Sequence, residues 1–317
     1  MVREELCAQD LKKNAYFPFL SGVIRGAGEL HFTQEGFAVC IKHRDGVFMN
    51  LVVSVLKTVY GDENAGLERD KTECGGRLEE FFSVYLPPAV SGDLLERCCI
   101  VRDKYEFVEE LPKKMLDGNS AKKAFLRGLF LSCGYLKTPE QTEDLAEQTK
   151  SGYTLSFSLN SDIIKRDVMA LLEKETFVAD GTIREKKTGH GIYIKNSEAI
   201  CNFLAYVGCV AGTLTLHEII SARRVRNDIN RVNNFDLANI DKAVAAGAKQ
   251  VDAIKKLKKN GIYNSLGDGL KKMCDEREKN PDLGLEELGR RFEPPITKSC
   301  VNHRLRKLVE LAGESEE

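Results

Sequence analysis

The side chains best equipped to do chemistry lie near the end of the chain. In residues 298–307, KSCVNHRLRK, the cations Lys298, Arg304, Arg306 and Lys307 alternate with the hydrogen-bonding groups of Ser299, Asn302 and His303. Ammonium and guanidinium groups neutralise phosphates, and Ser, Asn, His and Arg can read base edges in a major groove, so this mixture on one helix predicts contact with double-stranded DNA. A second dense set, Arg223, Arg224, Arg226 and Arg231, stands in ARRVRNDINRVNNFDLAN, residues 222–239, among five asparagines. That composition fits phosphate contacts and equally a polar linker with Asn caps. Ten cysteines make up the remaining reactive groups. None forms a Cys-x-x-Cys pair; Cys98 adjoins Cys99, and Cys40 stands three residues before His43. No zinc-ribbon or redox spacing emerges, so they read as reduced packing thiols, with no metal and no cofactor assigned.

A cationic helix reads DNA only if something holds it. Leu285 to Phe292 reads as a short helix stopped by Glu293, Pro294 and Pro295, and Thr297 as the N-cap of a second helix running to about Leu311. At about 100° per residue, Val301, Leu305, Leu308 and Val309 fall on one stripe. Ser299, His303, Arg306 and Lys307 fall opposite, with Asn302 and Arg304 at the flanks. Residues 284–312 therefore have a helix-turn-helix outline. Upstream, Asp241 to Lys259 pairs the apolar Val244, Ala248, Val251 and Leu257 with Lys255, Lys256, Lys258 and Lys259; Leu266 to Lys279 predicts another helix, closed by Asn280 and Pro281.

Charge marks the same region. The chain has 317 residues and net charge −1, yet residues 1–220 hold 27 Lys and Arg against 32 Asp and Glu, and residues 221–311 hold 20 against 13. The last acids, Glu314, Glu316 and Glu317, read as a terminal tail. A helical DNA-binding domain over 221–317 is expected to follow a domain over 1–220. No stretch approaches eighteen consecutive apolar residues and Met1 to Asp10 is charged, which predicts a cytoplasmic protein with no membrane partner. No small-molecule substrate is evident.

The front region contains a repeat. FPFLSGVIRGAGEL, residues 17–30, matches KAFLRGLFLSCGYL, residues 123–136, with Leu20 on Leu126. After the first copy come strand-like runs Glu29 to Thr33 and Phe37 to Lys42, an amphipathic Asp45 to Tyr60, strand-like Arg77 to Leu86 and helical Gly92 to Ile100. After the second come a polar insert from Lys137 to Lys150, Tyr153 to Leu159, helix-like Asp162 to Phe177, strand-like Gly191 to Lys195 and helical Ser197 to Val207. Gly22 and Gly26, like Gly128 and Ser132, are four apart, so each repeat helix carries a strip along which another backbone can approach. Gly28 and Gly134 read alternatively as ordinary helix stops. The short basic clusters Lys42, His43, Arg44 and Arg184, Glu185, Lys186, Lys187 read as solvated turns.

FLSGVIRGAG and FLRGLFLSCG resemble the paired LAGLIDADG helices of homing endonucleases. The resemblance implies an α+β fold: a pseudo-twofold domain of two αββαββα repeats, about 1–110 and 111–220, followed by an all-α helix-turn-helix domain. In such nucleases the eighth motif position is a metal-binding carboxylate; the matching residues here are Ala27 and Cys133, a methyl and a soft thiol, which implies lost cleavage. Glu29 lies two residues further on, but its counterpart is Tyr135. With RVNNFDLANIDKAVAAGAKQVDAI and ITKSCVNHRLRKL following, the whole chain resembles the sporulation-regulator WhiA family. That resemblance implies a bacterial, nucleoid-associated, non-enzymatic transcription regulator linked to sporulation or cell division. Two other readings stay open: a metal-dependent endonuclease using Glu29 and a second acid, and an adaptor for a sigma factor or co-regulator whose basic tail only assists.

Overall fold

Repetition in the sequence becomes repetition in space. The computed structural model describes residues 1–74, 77–103, 106–139, 152–176, 182–186 and 189–314, in two compact units, Met1–Ser221 and Ala222–Glu317. In the first, a leading helix α1 (Val2–Ala8) precedes α2 (Tyr16–Ala27), β1 (Gly28–Thr33), β2 (Gly36–His43), α3 (Gly46–Tyr60), β3 (Glu68–Cys74), β4 (Arg77–Leu86) and α4 (Pro88–Arg97). A small hairpin, β5 (Val101–Arg102) and β6 (Glu106–Phe107), leads to the second copy. That copy is α5 (Asn119–Cys133), β7 (Gly134–Lys137), β8 (Thr154–Leu159), α6 (Asp162–Glu175), β9 (Ile183–Glu185), β10 (His190–Ile194) and α7 (Ser197–Tyr206). The two antiparallel sheets share one topology, β1-β2-β4-β3 and β7-β8-β10-β9.

The two repeat helices meet along their glycines. A Cβ at Gly22 would run into the Phe125 carbonyl oxygen and lie 2.8 Å from the Leu129 nitrogen, and one at Gly128 would run into the Phe19 carbonyl oxygen. Gly22 matches Gly128 and Phe19 matches Phe125 in the repeat, so one contact is made twice about the pseudo-twofold. Ser132 Oγ donates to Leu129 O at 3.0 Å and Gly22 O at 3.3 Å, joining the helices where Gly26 faces it. The forfeited helix propensity, about 1 kcal/mol per Gly, is offset by burial of Phe19, Leu20, Val23, Phe125, Leu126 and Leu129, all 0% exposed.

Gly28 and Gly134 are not left-handed stops. Their φ values are −84° and −85° in extended backbone, and each helix passes directly into a strand. A Cβ at Gly28 would meet the Ile24 backbone, so here glycine serves close approach. α4 begins at Pro88, earlier than the expected Gly92, because proline suits the first helical position. Buried Ser91 ties that start down, donating to Leu86 O at 2.8 Å and accepting from Val39 N–H at 3.0 Å. Phe177, Lys187, Glu316, Glu317 and positions 140–150 of the expected insert lie outside the described residues.

In the second unit, the asparagines of residues 222–239 are not helix caps. They are helical throughout, inside α8 (Val210–Lys259). Nothing between Thr213 and Ala246 is Gly or Pro, and Asn is only mildly unfavourable within a helix. No helix among the described residues is long and apolar enough to cross a membrane.

Gly22→Ala and Gly128→Ala should each destabilise the chain by about 3 kcal/mol, because backbone on a partner helix cannot yield to a methyl. Gly92→Ala, where the new methyl meets nothing within 4 Å, should stabilise it by roughly 0.5 kcal/mol. Urea unfolding of the full chain checks both signs.

Candidate nucleic-acid interface

Hydrophobic burial decides which face of the cationic helix looks outward. After α8 come α9 (Asp268–Lys279), α10 (Leu285–Arg290) and α11 (Lys298–Glu314), around a core that includes Ile254, Leu257, Met273 and Leu288. Thr297 caps α11: its Oγ1 accepts from Cys300 N–H at 3.3 Å and its carbonyl from Val301 N–H at 3.0 Å. The turn before it closes on Gly289, where a Cβ would strike the Ile296 carbonyl; Ile296 N–H donates back to Gly289 O at 3.1 Å. A glycine inside a short helix therefore marks where the turn crosses it.

Val301, Leu305 and Leu308 are buried as their spacing predicts, but the stripe continues to Ala312 at 3% exposure, whereas Val309 is 40% exposed. Val309 was expected on the stripe. Position 312 continues the alternating four- and three-residue steps of 301, 305 and 308, and 309 turns away from them.

Lys298, Ser299, Asn302, His303, Arg306 and Lys307 are exposed, with Ser299, His303, Arg306 and Lys307 opposite the stripe and Asn302 at its flank. Among the described residues none of these six side chains is engaged in a hydrogen bond or ion pair. Arg304 differs: Nη1 donates to Gly269 O at 3.4 Å and its guanidinium lies 5.9 Å from the Phe292 ring centre, so it lies along the flank of α11 toward α9. The other predicted arginines lie on α8, with Arg224 and Arg231 exposed and Arg223 and Arg226 half-buried. Arg231 Nη1 is 4.0 Å from Asp228 Oδ1, a weak exposed pair.

Sequence reasoning missed Arg277. At 3% exposure, it donates from Nε to Gln250 Oε1 at 2.8 Å and from Nη1 to Leu283 O at 2.6 Å, tying α9 to α8 and to the loop before α10. Gly247 makes room there, since a Cβ would press on Pro281 O at 2.6 Å. The Asn280–Pro281 stop was the available signal that a chain reversal needed anchoring. Lys258, read as part of a basic helix end, pairs with Glu278 at 2.5 Å and Asp275 at 3.4 Å.

In the first unit, Ala27 and Cys133 are the last residues of α2 and α5. Cys133 Sγ contacts Leu129 O at 3.3 Å and burial pushes its thiol up to about 12, leaving it protonated at neutral pH. A methyl and a neutral thiol do not fit a hard divalent ion. His43 makes no pair with Cys40: its Nδ1 accepts from Asp45 N–H at 3.0 Å, and burial and Arg3 push it down to about 4. Cys40 instead stands opposite Glu29 across β1 and β2.

A family model described as the WhiA C-terminal HTH domain matches residues 229–312, and one described as the WhiA LAGLIDADG-like domain matches residues 122–226. A probable cell division protein WhiA of Clostridium tetani is 29% identical over 99% of this chain and 96% of its own. Its namesake in Streptococcus thermophilus is 27% identical over 99% and 98%. The crystal structure of full-length DUF199/WhiA from Thermotoga maritima aligns with a TM-score of 0.55 at 20% identity, over 99% of this chain and 96% of that one, and so shares its fold.

Leu305→Ala should lower stability by about 3 kcal/mol and Gly289→Ala by about 2 kcal/mol. Val309→Lys should stay within roughly 0.5 kcal/mol of wild type. Thermal unfolding of the full chain separates the buried stripe from the exposed flank.

Proposed function

The chain belongs to the WhiA family, and from that premise we propose that it is a sequence-specific regulator of transcription that binds double-stranded DNA and lacks nuclease activity. The carrying observation is the exposed, unengaged set of Lys298, Ser299, Asn302, His303, Arg306 and Lys307 on α11, a helix anchored by its buried stripe. In this reading residues 221–317 are the DNA-binding domain. Lys298, Ser299, Asn302 and His303, at the amino end of α11, meet base edges, as N-terminal residues of a recognition helix do. Arg306 and Lys307 take phosphates, and Arg304 orients α11 while its charge faces the same polyanion. Arg223, Arg224, Arg226 and Arg231 add phosphate contacts from α8.

Residues 1–220 form the LAGLIDADG-like domain, and the methyl of Ala27 and thiol of Cys133 support its reading as a scaffold or as a docking surface for a sigma factor or co-regulator. The relatives named for cell division support a regulatory role there, with sporulation as the related setting. A DNA-bound regulator of this kind works on the nucleoid, in the cytoplasm.

Duplexes selected by the full chain from a random pool should converge on a motif, with log affinity falling linearly with log salt. Arg306→Ala and Lys307→Ala should weaken binding to all sequences and reduce the salt slope by about 1 each. Asn302→Ala and His303→Ala should shift base preference by roughly 1–3 kcal/mol per lost contact. Absence of salt-sensitive duplex binding overturns the regulator reading. Bound duplex should survive Mg²⁺ or Mn²⁺ uncut, and a site-specific cut abolished by Glu29→Ala overturns the non-enzymatic one.

A further inference from the structure

The β1–β2 hairpin brings together three side chains that the sequence separates. Its register places Glu29 opposite Cys40, and His31, two residues along β1, projects from the same face as Glu29. One ligand atom from each of Glu29, His31 and Cys40 lies within 4.8 Å of the others, and Glu29 Oε2 to His31 Nε2 is 3.8 Å. A tetrahedral zinc ion, with Zn–S about 2.3 Å and Zn–N and Zn–O about 2.0–2.2 Å, holds its ligands roughly 3.3–3.8 Å apart. One edge of that tetrahedron is already near length, and the others, at most 4.8 Å, close by up to about 1.5 Å through side-chain rotation. Glu29 and His31 are 65% and 54% exposed, so this rotation is unhindered and an ion can enter from solvent.

We propose that Glu29, His31 and Cys40 form a binding site for a borderline-soft divalent ion of the zinc class, with its fourth position open to water. The donor set discriminates: thiolate and imidazole favour Zn²⁺ or Co²⁺, whereas Mg²⁺ and Ca²⁺ demand oxygen. The site is distinct from the helix ends at Ala27 and Cys133, where a methyl and a single buried thiol stand. It belongs to one half only. In the second sheet Tyr135 faces Ser156 at the matching register, and Lys137 stands where His31 does, so the repeat itself does not account for the donors. Binding displaces the proton of a ligating thiol, so affinity rises with pH.

Co²⁺ alone, titrated into the reduced full chain carrying no polyhistidine tag, tests the site independently of DNA binding. Expected are tetrahedral cobalt absorption with a thiolate charge-transfer band, at one equivalent, displaced by Zn²⁺. Cys40→Ser should abolish the charge-transfer band, and His31→Ala and Glu29→Gln should each weaken binding by at least roughly tenfold, with circular dichroism unchanged. Cys133→Ser should leave the spectrum intact. A charge-transfer band that persists in Cys40→Ser, cobalt affinity unmoved by His31→Ala and Glu29→Gln, or no tetrahedral cobalt spectrum with the wild-type chain overturns the proposal.

Discussion

Two backbones in contact organise the first unit. At Gly22 and Gly128 the α2 and α5 chains approach until each glycine lies against the other helix's carbonyl, Phe125 and Phe19 respectively. Side chains would hold the axes apart, so the approach requires glycine at both symmetry-related positions. Because α2 runs straight into β1 and α5 into β7, this contact also fixes where both sheets begin. It involves no carboxylate and no metal. A domain organised this way keeps its fold whatever stands at the helix ends, which is why Ala27 and Cys133 are compatible with an intact pseudo-twofold.

The symmetry is one of backbone, not of chemistry. The sheet topologies coincide, yet where the first sheet carries Glu29, His31 and Cys40 the second carries Tyr135, Lys137 and a buried Ser156. Core-facing positions are constrained by packing on both halves, whereas outward positions answer only to solvent and to whatever binds there. Exposed positions such as Glu29 and His31 can therefore differ from Tyr135 and Lys137 without disturbing the core.

A different economy holds the second unit. Its core is small, and several polar devices supplement it: the buried Arg277 tying α8, α9 and a loop together, the Lys258–Glu278 pair, the Thr297 cap, and the turn closing over Gly289. Together with Val301, Leu305 and Leu308 they commit one side of α11 to the interior, leaving a cationic and amide-bearing side in solvent. Cations spent on structure, Lys258 and Arg277, are thereby separated from those left over, Arg306 and Lys307.

Much of this was written in local order. The repeat of Phe-Leu-x-Gly, the alternation in 37–42, the N-cap at Thr297 and the three- and four-residue spacing of Val301, Leu305 and Leu308 are short-range patterns, and short-range physics reads them. β3, with the polar sequence ERDKTEC, and the brief β7 and β9 carried no such signal, since their strand character comes from pairing with a neighbour. The asparagines of 222–239 suit caps by local propensity, yet they stand inside one continuous helix. By itself, then, the sequence determined the doubled plan, the methyl and thiol at the repeat-helix ends and the cationic helix. Only the tertiary structure decided that Arg304 is held by the Gly269 carbonyl, that Arg277 joins α9 to α8 through Gln250, and that Glu29, His31 and Cys40 meet. Each of these depends on which helices pack together and how the strands register, which no local pattern encodes.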